Sequence, residues 1–224
     1  MNLPGCHIYT TKNKSIDSEL WYALSRRLKT LVGLIAHDIQ FFNRRFGKGQ
    51  YFFSDIKKEG VLLYGSGKFE LAKARELSMA DRKHMAELDF EYWFNSTKDF
   101  FDTFNFNLNR EKYNLAAFGL HQVSERLFGA ILFVFTRYKP STHNLKKLIK
   151  RNASREPEFL KIFSQATETE KHRFELLRKA YVDARYSRSY AITREELDRL
   201  AQRVELLQQP TEKRCKQKIA EFES

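Results

Sequence analysis

KYNLAAFGLHQVSERLFGAILFVFTRYK, residues 112–139, is the stretch that decides the fold. Between Leu115 and Phe135 its apolar residues fall on nearly every side of a helical repeat: Leu115, Phe118, Leu120, Val123, Leu127, Phe128, Ile131 and Val134. A helix apolar all round is a central one, covered by neighbours on several faces. His121, Gln122, Ser124, Glu125 and Arg126 interrupt the run, so it falls short of the about 20 apolar residues that cross a bilayer. No membrane partner is expected. What remains is the core rod of a helical bundle, ended by Pro140, which cannot continue a helix. Gln122 and Glu125 share one side of the rod, next to His121. Buried polar groups need partners, so this patch is either a hydrogen-bonded lock of the core or a wall of a functional site.

The sequence on both sides of the rod is helical. Asp81 to about Phe104 repeats Leu88, Trp93, Phe94, Phe100 and Phe101 near helical spacing, and the asparagines of NFNLN (105–109) predict the turn. After Pro140, Ser141 or Thr142 is expected to cap a short helix with Leu145, Leu148 and Ile149. Another short helix follows from Pro157, and a long one from Thr167 to Arg185. TREE at 193–196 is a capping box. The helix it opens keeps Leu197, Leu200, Val204 and Leu207 in register until Pro210 kinks or breaks it, and Cys215, Ile219 and Phe222 carry the stripe on.

Ahead of residue 78 the pattern changes. CHIYT (6–10), LVGLIA (31–36) and VLLY (61–64) read as strands, with helices expected from Ser15 or Asp17, from Asp38, and over Tyr51–Lys58. Such alternation reads as α/β. GSG at 65–67 is a turn, since no Lys-Ser/Thr follows it as in a phosphate loop, and Phe69–Leu77 reads as a helical linker. The expected fold class is therefore α+β: a small α/β segment over residues 1–77, then an all-α bundle over residues 78–224.

Lys and Arg number 40 against 28 Asp and Glu, a net charge of +12. That balance favours an acidic partner, nucleic acid first, or serves solubility alone. Cys6 and Cys215 stand at opposite ends with no metal-type spacing, so no cofactor is expected. With no basic-then-apolar leader visible at the N-terminus, a reducing cytoplasmic setting is expected.

Two constellations carry the functional reading. YVDARYSRSY (181–190), with Arg178 before it, interleaves Arg185 and Arg188 with Tyr181, Tyr186 and Tyr190. Arg contacts phosphate and Tyr stacks on bases, which makes an RNA or nucleotide surface; the other reading is a basic helix end complementing its dipole. His143, in STHNL at a helix start, either meets an anion or serves the local backbone.

AAFGLHQVSERLFGAIL with Gln122 and Glu125, then PSTHNLKKLI with His143, then LLRKAYVDARYSRSY together resemble the HEPN superfamily over roughly residues 80–224. The resemblance implies a helical bundle, commonly a homodimer, with RNA or nucleotide in a basic cleft lined by Arg185, Arg188, Tyr186, Tyr190, Arg178, His143, Gln122 and Glu125. Family members include toxin–antitoxin and defence ribonucleases whose motif pairs an Arg with a His a short way downstream. Arg185 matches that Arg, but no His follows it up to Ser224 and Tyr190 stands in its place. A phenol with an ordinary pKa of about 10 is a poor base at neutral pH. A non-catalytic binding protein is expected, with an atypical ribonuclease using Tyr190 or His143 as the alternative. Gly129 departs from the family pattern, which often has a lysine there. The first residues, up to EGVLLYGSG, are similar to the back portion of a minimal nucleotidyltransferase of the kind fused to HEPN domains. Its Gly-Ser motif and paired acids have no room before CHIYT, so a catalytically dead remnant is expected, or an active fusion if the true start lies upstream. A truncated sheet would also leave an open edge for a protein partner.

Overall fold

The computed structural model describes residues 6–9, 33–62, 65, 67, 70–73 and 75–223, with backbone alone for 6–9 and 33–36. It divides into two compact units, Met1–Glu76 and Leu77–Ser224.

In the first unit β1 (Cys6–Tyr9) and β2 (Gly33–Ala36) form a parallel pair, Cys6 opposite Gly33. Helices α1 (Ile39–Gly47) and α2 (Tyr51–Glu59) follow. Asp38 starts α1 by accepting the Phe41 N–H at 2.7 Å. Gly49, at φ 68°, makes the left-handed step between the helices that a side chain would resist. Phe42, Phe46, Tyr51 and Phe53 are buried, and the Phe42 and Phe53 rings meet edge-to-face at 5.3 Å. The Asn43 amide holds a following segment, donating to Glu70 O and accepting from Ala72 N.

These residues correct the expected α/β layer. Two four-residue strands make one pair and no sheet layer. Val61 and Leu62 lie outside any strand and are each 82% exposed; an apolar run reads as a strand only if something is there to cover it. The protein is built on helices, and no nucleotidyltransferase-like remnant is present among the described residues. Residues 70–73 and 75–77 are not helical, contrary to the expected linker. The helix expected from Ser15 or Asp17, together with Leu63 and Tyr64, lies outside the described residues.

The second unit is a bundle of α3 (Met79–Asn109), α4 (Tyr113–Thr136), α5 (Leu145–Ala153), α6 (Phe159–Ile162), α7 (Glu168–Lys179), α8 (Asp183–Tyr186), α9 (Arg194–Glu205) and α10 (Gln208–Ala220). The rod read from sequence is α4, packed against α3, α5, α7, α8, α9 and α10. Leu120, Val123, Leu127, Phe128 and Ile131 are fully buried, each worth about 1.5–3 kcal/mol as apolar surface removed from water. Two glycines set how closely α3 approaches. A Cβ on Gly119 would stand 3.2 Å from the Phe104 backbone nitrogen, and one on Gly129 would meet the Trp93 ring at 2.7 Å. No described helix is long and apolar enough to cross a membrane.

Local boundaries differ from expectation where burial outweighs turn propensity. NFNLN does not turn: Phe104 and Leu108 are buried, so α3 continues through it, and the chain reverses at Glu111, φ 57°. Helix α7 stops at Lys179 rather than Arg185, and Ala184 is buried by the separate turn α8. Asn144 caps α5, while Thr142 Oγ1 accepts from Asn144 N at 3.2 Å. The 193–196 box forms, with Glu196 N on Thr193 Oγ1 and Thr193 N on Glu196 Oε2. Pro210 lies in the first turn of α10, where a missing N–H is tolerated.

Candidate functional site

The polar patch of α4 centres on Glu125. Its residue exposure is 5%, so an unpartnered carboxylate there would be costly. Lys139 Nζ donates to Oε1 at 2.8 Å and His143 Nδ1 to Oε2 at 2.8 Å. Burial alone would raise this carboxyl; His121, Lys139 and His143 outweigh it and hold the group at about 2. Glu125 is therefore ionised across the physiological range.

Chain reversal brings those partners in. Arg137 closes α4 in the left-handed region at φ 53°, its N–H on Phe133 O, and turns Lys139 and then His143 back along the helix they follow. Lys139 also lies 5.7 Å from the Trp93 ring centre, the same ring that covers Gly129 and stacks on Phe133 at 4.8 Å. Arg126 stands 4.5 Å from that indole centre. Where the resemblance leads one to expect a lysine at position 129, the aromatic ring of Trp93 takes the space.

His121 is fully buried, and its Nδ1 lies 2.9 Å from Leu177 O. A carbonyl only accepts, so Nδ1 carries the proton. Its Nε2 is 3.8 Å from Glu125 Oε2, too long for a hydrogen bond, and is buried without a partner. The Gln122 Nε2 is buried without a hydrogen-bond partner. Expected beside Glu125 as one polar wall, Gln122 makes no bond with it.

Outward from Glu125 the site becomes a stack of flat groups. The half-exposed His143 ring lies on Tyr181 with centroids 3.7 Å apart and planes 10° off parallel. The Arg185 guanidinium sits 4.7 Å from the Tyr181 centre, 4.6 Å from Phe118 and 4.9 Å from Tyr186. Arg185 Nε donates to Tyr181 O at 2.8 Å, and one terminal NH₂ group bonds the same oxygen. Two of its five N–H groups are thus used to fix the fork, and the side chain stays exposed. Arg188 and Tyr186 are exposed as well, Tyr186 by 75%.

Two expected site residues are occupied elsewhere. Arg178 forks onto Glu175 Oε2 at 2.8 and 2.6 Å, and Glu175 also holds Lys146. Tyr190 is 8% exposed, donates its hydroxyl to Leu176 O at 3.0 Å, and burial pushes its phenol up from the ordinary range. It packs the turn after α8 and offers no base to a ligand. Lys139, Phe118 and Trp93 had no place in the expected site. Lys139 lies 14 residues beyond Glu125, past a helix end, so no local spacing points to it.

Among the described residues no group of three or more His, Cys, Asp or Glu is placed to hold a metal ion. The site has instead a buried anion, a histidine it orients, an aromatic platform and an exposed guanidinium. Such a set suits binding a phosphate and stacking a base.

In comparison with known proteins, a family model described as HEPN domain matches residues 90–214. No curated protein matches the chain.

Proposed function

Because the chain belongs to the HEPN domain family, we propose that it binds RNA, or a nucleotide fragment of it, without cleaving it, through the face around Arg185 in a homodimer. The single observation behind this reading is the stack of His143, Tyr181 and Arg185, ending on an exposed guanidinium flanked by exposed Arg188 and Tyr186. Phosphate would take the open edges of Arg185 and Arg188, and a base would lie on the exposed ring of Tyr186. Glu125 fixes His143, and through it Tyr181, so the platform is in place before a ligand arrives. The buried Tyr190 hydroxyl, committed to Leu176 O, supports a binding protein over an enzyme. Arg178 and Gln122 are left out of the binding set. Fluorescence anisotropy with a labelled single-stranded RNA tests this: Arg185→Ala with Arg188→Ala should weaken binding at least tenfold, and unchanged affinity would reject the assignment. Light scattering over a concentration series tests the dimer, and a monomer throughout would remove it.

One observation favours a second reading, an atypical ribonuclease. Glu125 accepts the His143 Nδ1 proton, which leaves Nε2 as the nitrogen able to take a proton from a ribose hydroxyl. Incubating the protein with RNA decides it: cleavage lost in His143→Ala carries this reading, and no cleavage by the parent protein ends it.

A further inference from the structure

A second cleft lies between α7 and α9, at the end of α7 remote from Tyr181. It encloses about 400 Å³, within the range of small-molecule sites. Its floor is apolar: Phe163, Phe174 and Leu200 line it, with Phe163 and Phe174 in ring contact at 5.2 Å. Its charged lining has three cations, Arg173, Arg199 and Arg203 on two facing helices, against two acids, Glu170 and Glu195.

The three rim arginines differ in how far they are paired. Arg173 reaches Glu195 at 3.6 Å, beyond a normal hydrogen bond, and that glutamate side chain is 78% exposed. The Arg173 Nε is buried and makes no hydrogen bond. Arg203 meets Glu170 Oε1 at 3.5 Å, while Ser164, Ala166 and Thr167 donate to Oε2 of the same carboxylate, so Arg203 is the paired cation of the rim. Arg199 is exposed and has no ion pair among the described residues. Arg199, with no acid partner among the described residues, and Arg173, met only by the exposed Glu195, stand over an apolar floor and match a ligand that is anionic at one end and hydrocarbon at the other.

We propose that this cleft binds a small amphipathic carboxylate, its hydrocarbon body on Phe163, Phe174 and Leu200 and its carboxylate forked by Arg199 and Arg173. An aryl acid and an acyl chain share that chemistry, so both are tried. The full chain is titrated by calorimetry with naphthoate, with decanoate, and with naphthalenemethanol as the neutral body. Saturable binding of at least one acid is expected, at least tenfold weaker in Arg199→Ala and at least tenfold weaker for the alcohol than for naphthoate if the aryl acid is the better ligand. Since Arg199 holds no described partner, that variant keeps its fold, which a thermal melt checks. Arg185→Ala should leave acid binding unchanged, which separates this cleft from the RNA face. No saturable binding of either acid would overturn the proposal, as would binding indifferent to Arg199→Ala or lost in Arg185→Ala.

Discussion

His143 Nδ1 stands 2.8 Å from Glu125 Oε2, so a side chain ahead of α5 is bonded to the middle of the central helix. Because Glu125 is almost wholly enclosed, this bond and the one from Lys139 replace the water the carboxylate gave up.

The first consequence concerns acid. Glu125 is held at about 2 when folded, below its ordinary 4.5. A depressed carboxyl contributes stability that is complete above the unfolded value and is lost as pH falls through the folded one. Urea midpoints should therefore fall between about pH 5 and pH 2, and Glu125→Gln should flatten that slope. Glu175 is held at about 2 as well, chiefly by the Arg178 fork, but solvent screens it and Glu175→Gln should flatten the slope less.

Removing one partner of the enclosed pair is a sharper test of the same centre. Lys139→Met leaves Glu125 with histidine alone and should cost about 3 kcal/mol. Lys139→Met with Glu125→Gln should recover much of that loss, since no charge is then stranded. Chemical denaturation of the three variants measures the coupling.

Gly129 carries a packing test. A methyl group there would enter the Trp93 ring, at 2.7 Å, and overpacking of this sort costs about 1–3 kcal/mol. Gly129→Ala should lower the melting temperature and shift the tryptophan emission as the indole leaves Phe133.

Much of this was legible in the sequence, for identifiable reasons. The rod from Leu115 to Phe135 is apolar on nearly every side, and a central helix satisfies that, so α4 followed from composition and period while the ends of its neighbours α3 and α7 did not. TREE formed its capping box because both halves of a capping box lie within one turn. VLLY misled because an apolar run carries no record of whether anything covers it, and Val61 and Leu62 are exposed. In the site, Glu125, His143 and Arg185 were visible as polar or basic residues in odd places. Lys139 was not, because its role depends on the left-handed turn at Arg137 that folds it back. Tyr190 and Arg178 misled in the opposite sense: residue type marked them as ligands, but Leu176 O and Glu175 had already taken them.

Tyr190 gives a test of that last point. Tyr190→Phe removes one buried hydrogen bond and should cost about 1 kcal/mol. RNA affinity should not change, because the hydroxyl faces the core and not the Arg185 face.

The proposed RNA face is tested most directly by mapping contacts. Short-wavelength crosslinking to a single-stranded RNA, followed by peptide mapping, should place adducts within residues 180–190, on Tyr181 or Tyr186, and these should fade as salt is raised. Adducts found only elsewhere on the chain, or none at RNA concentrations that saturate binding, would contradict the Arg185 face as the RNA site.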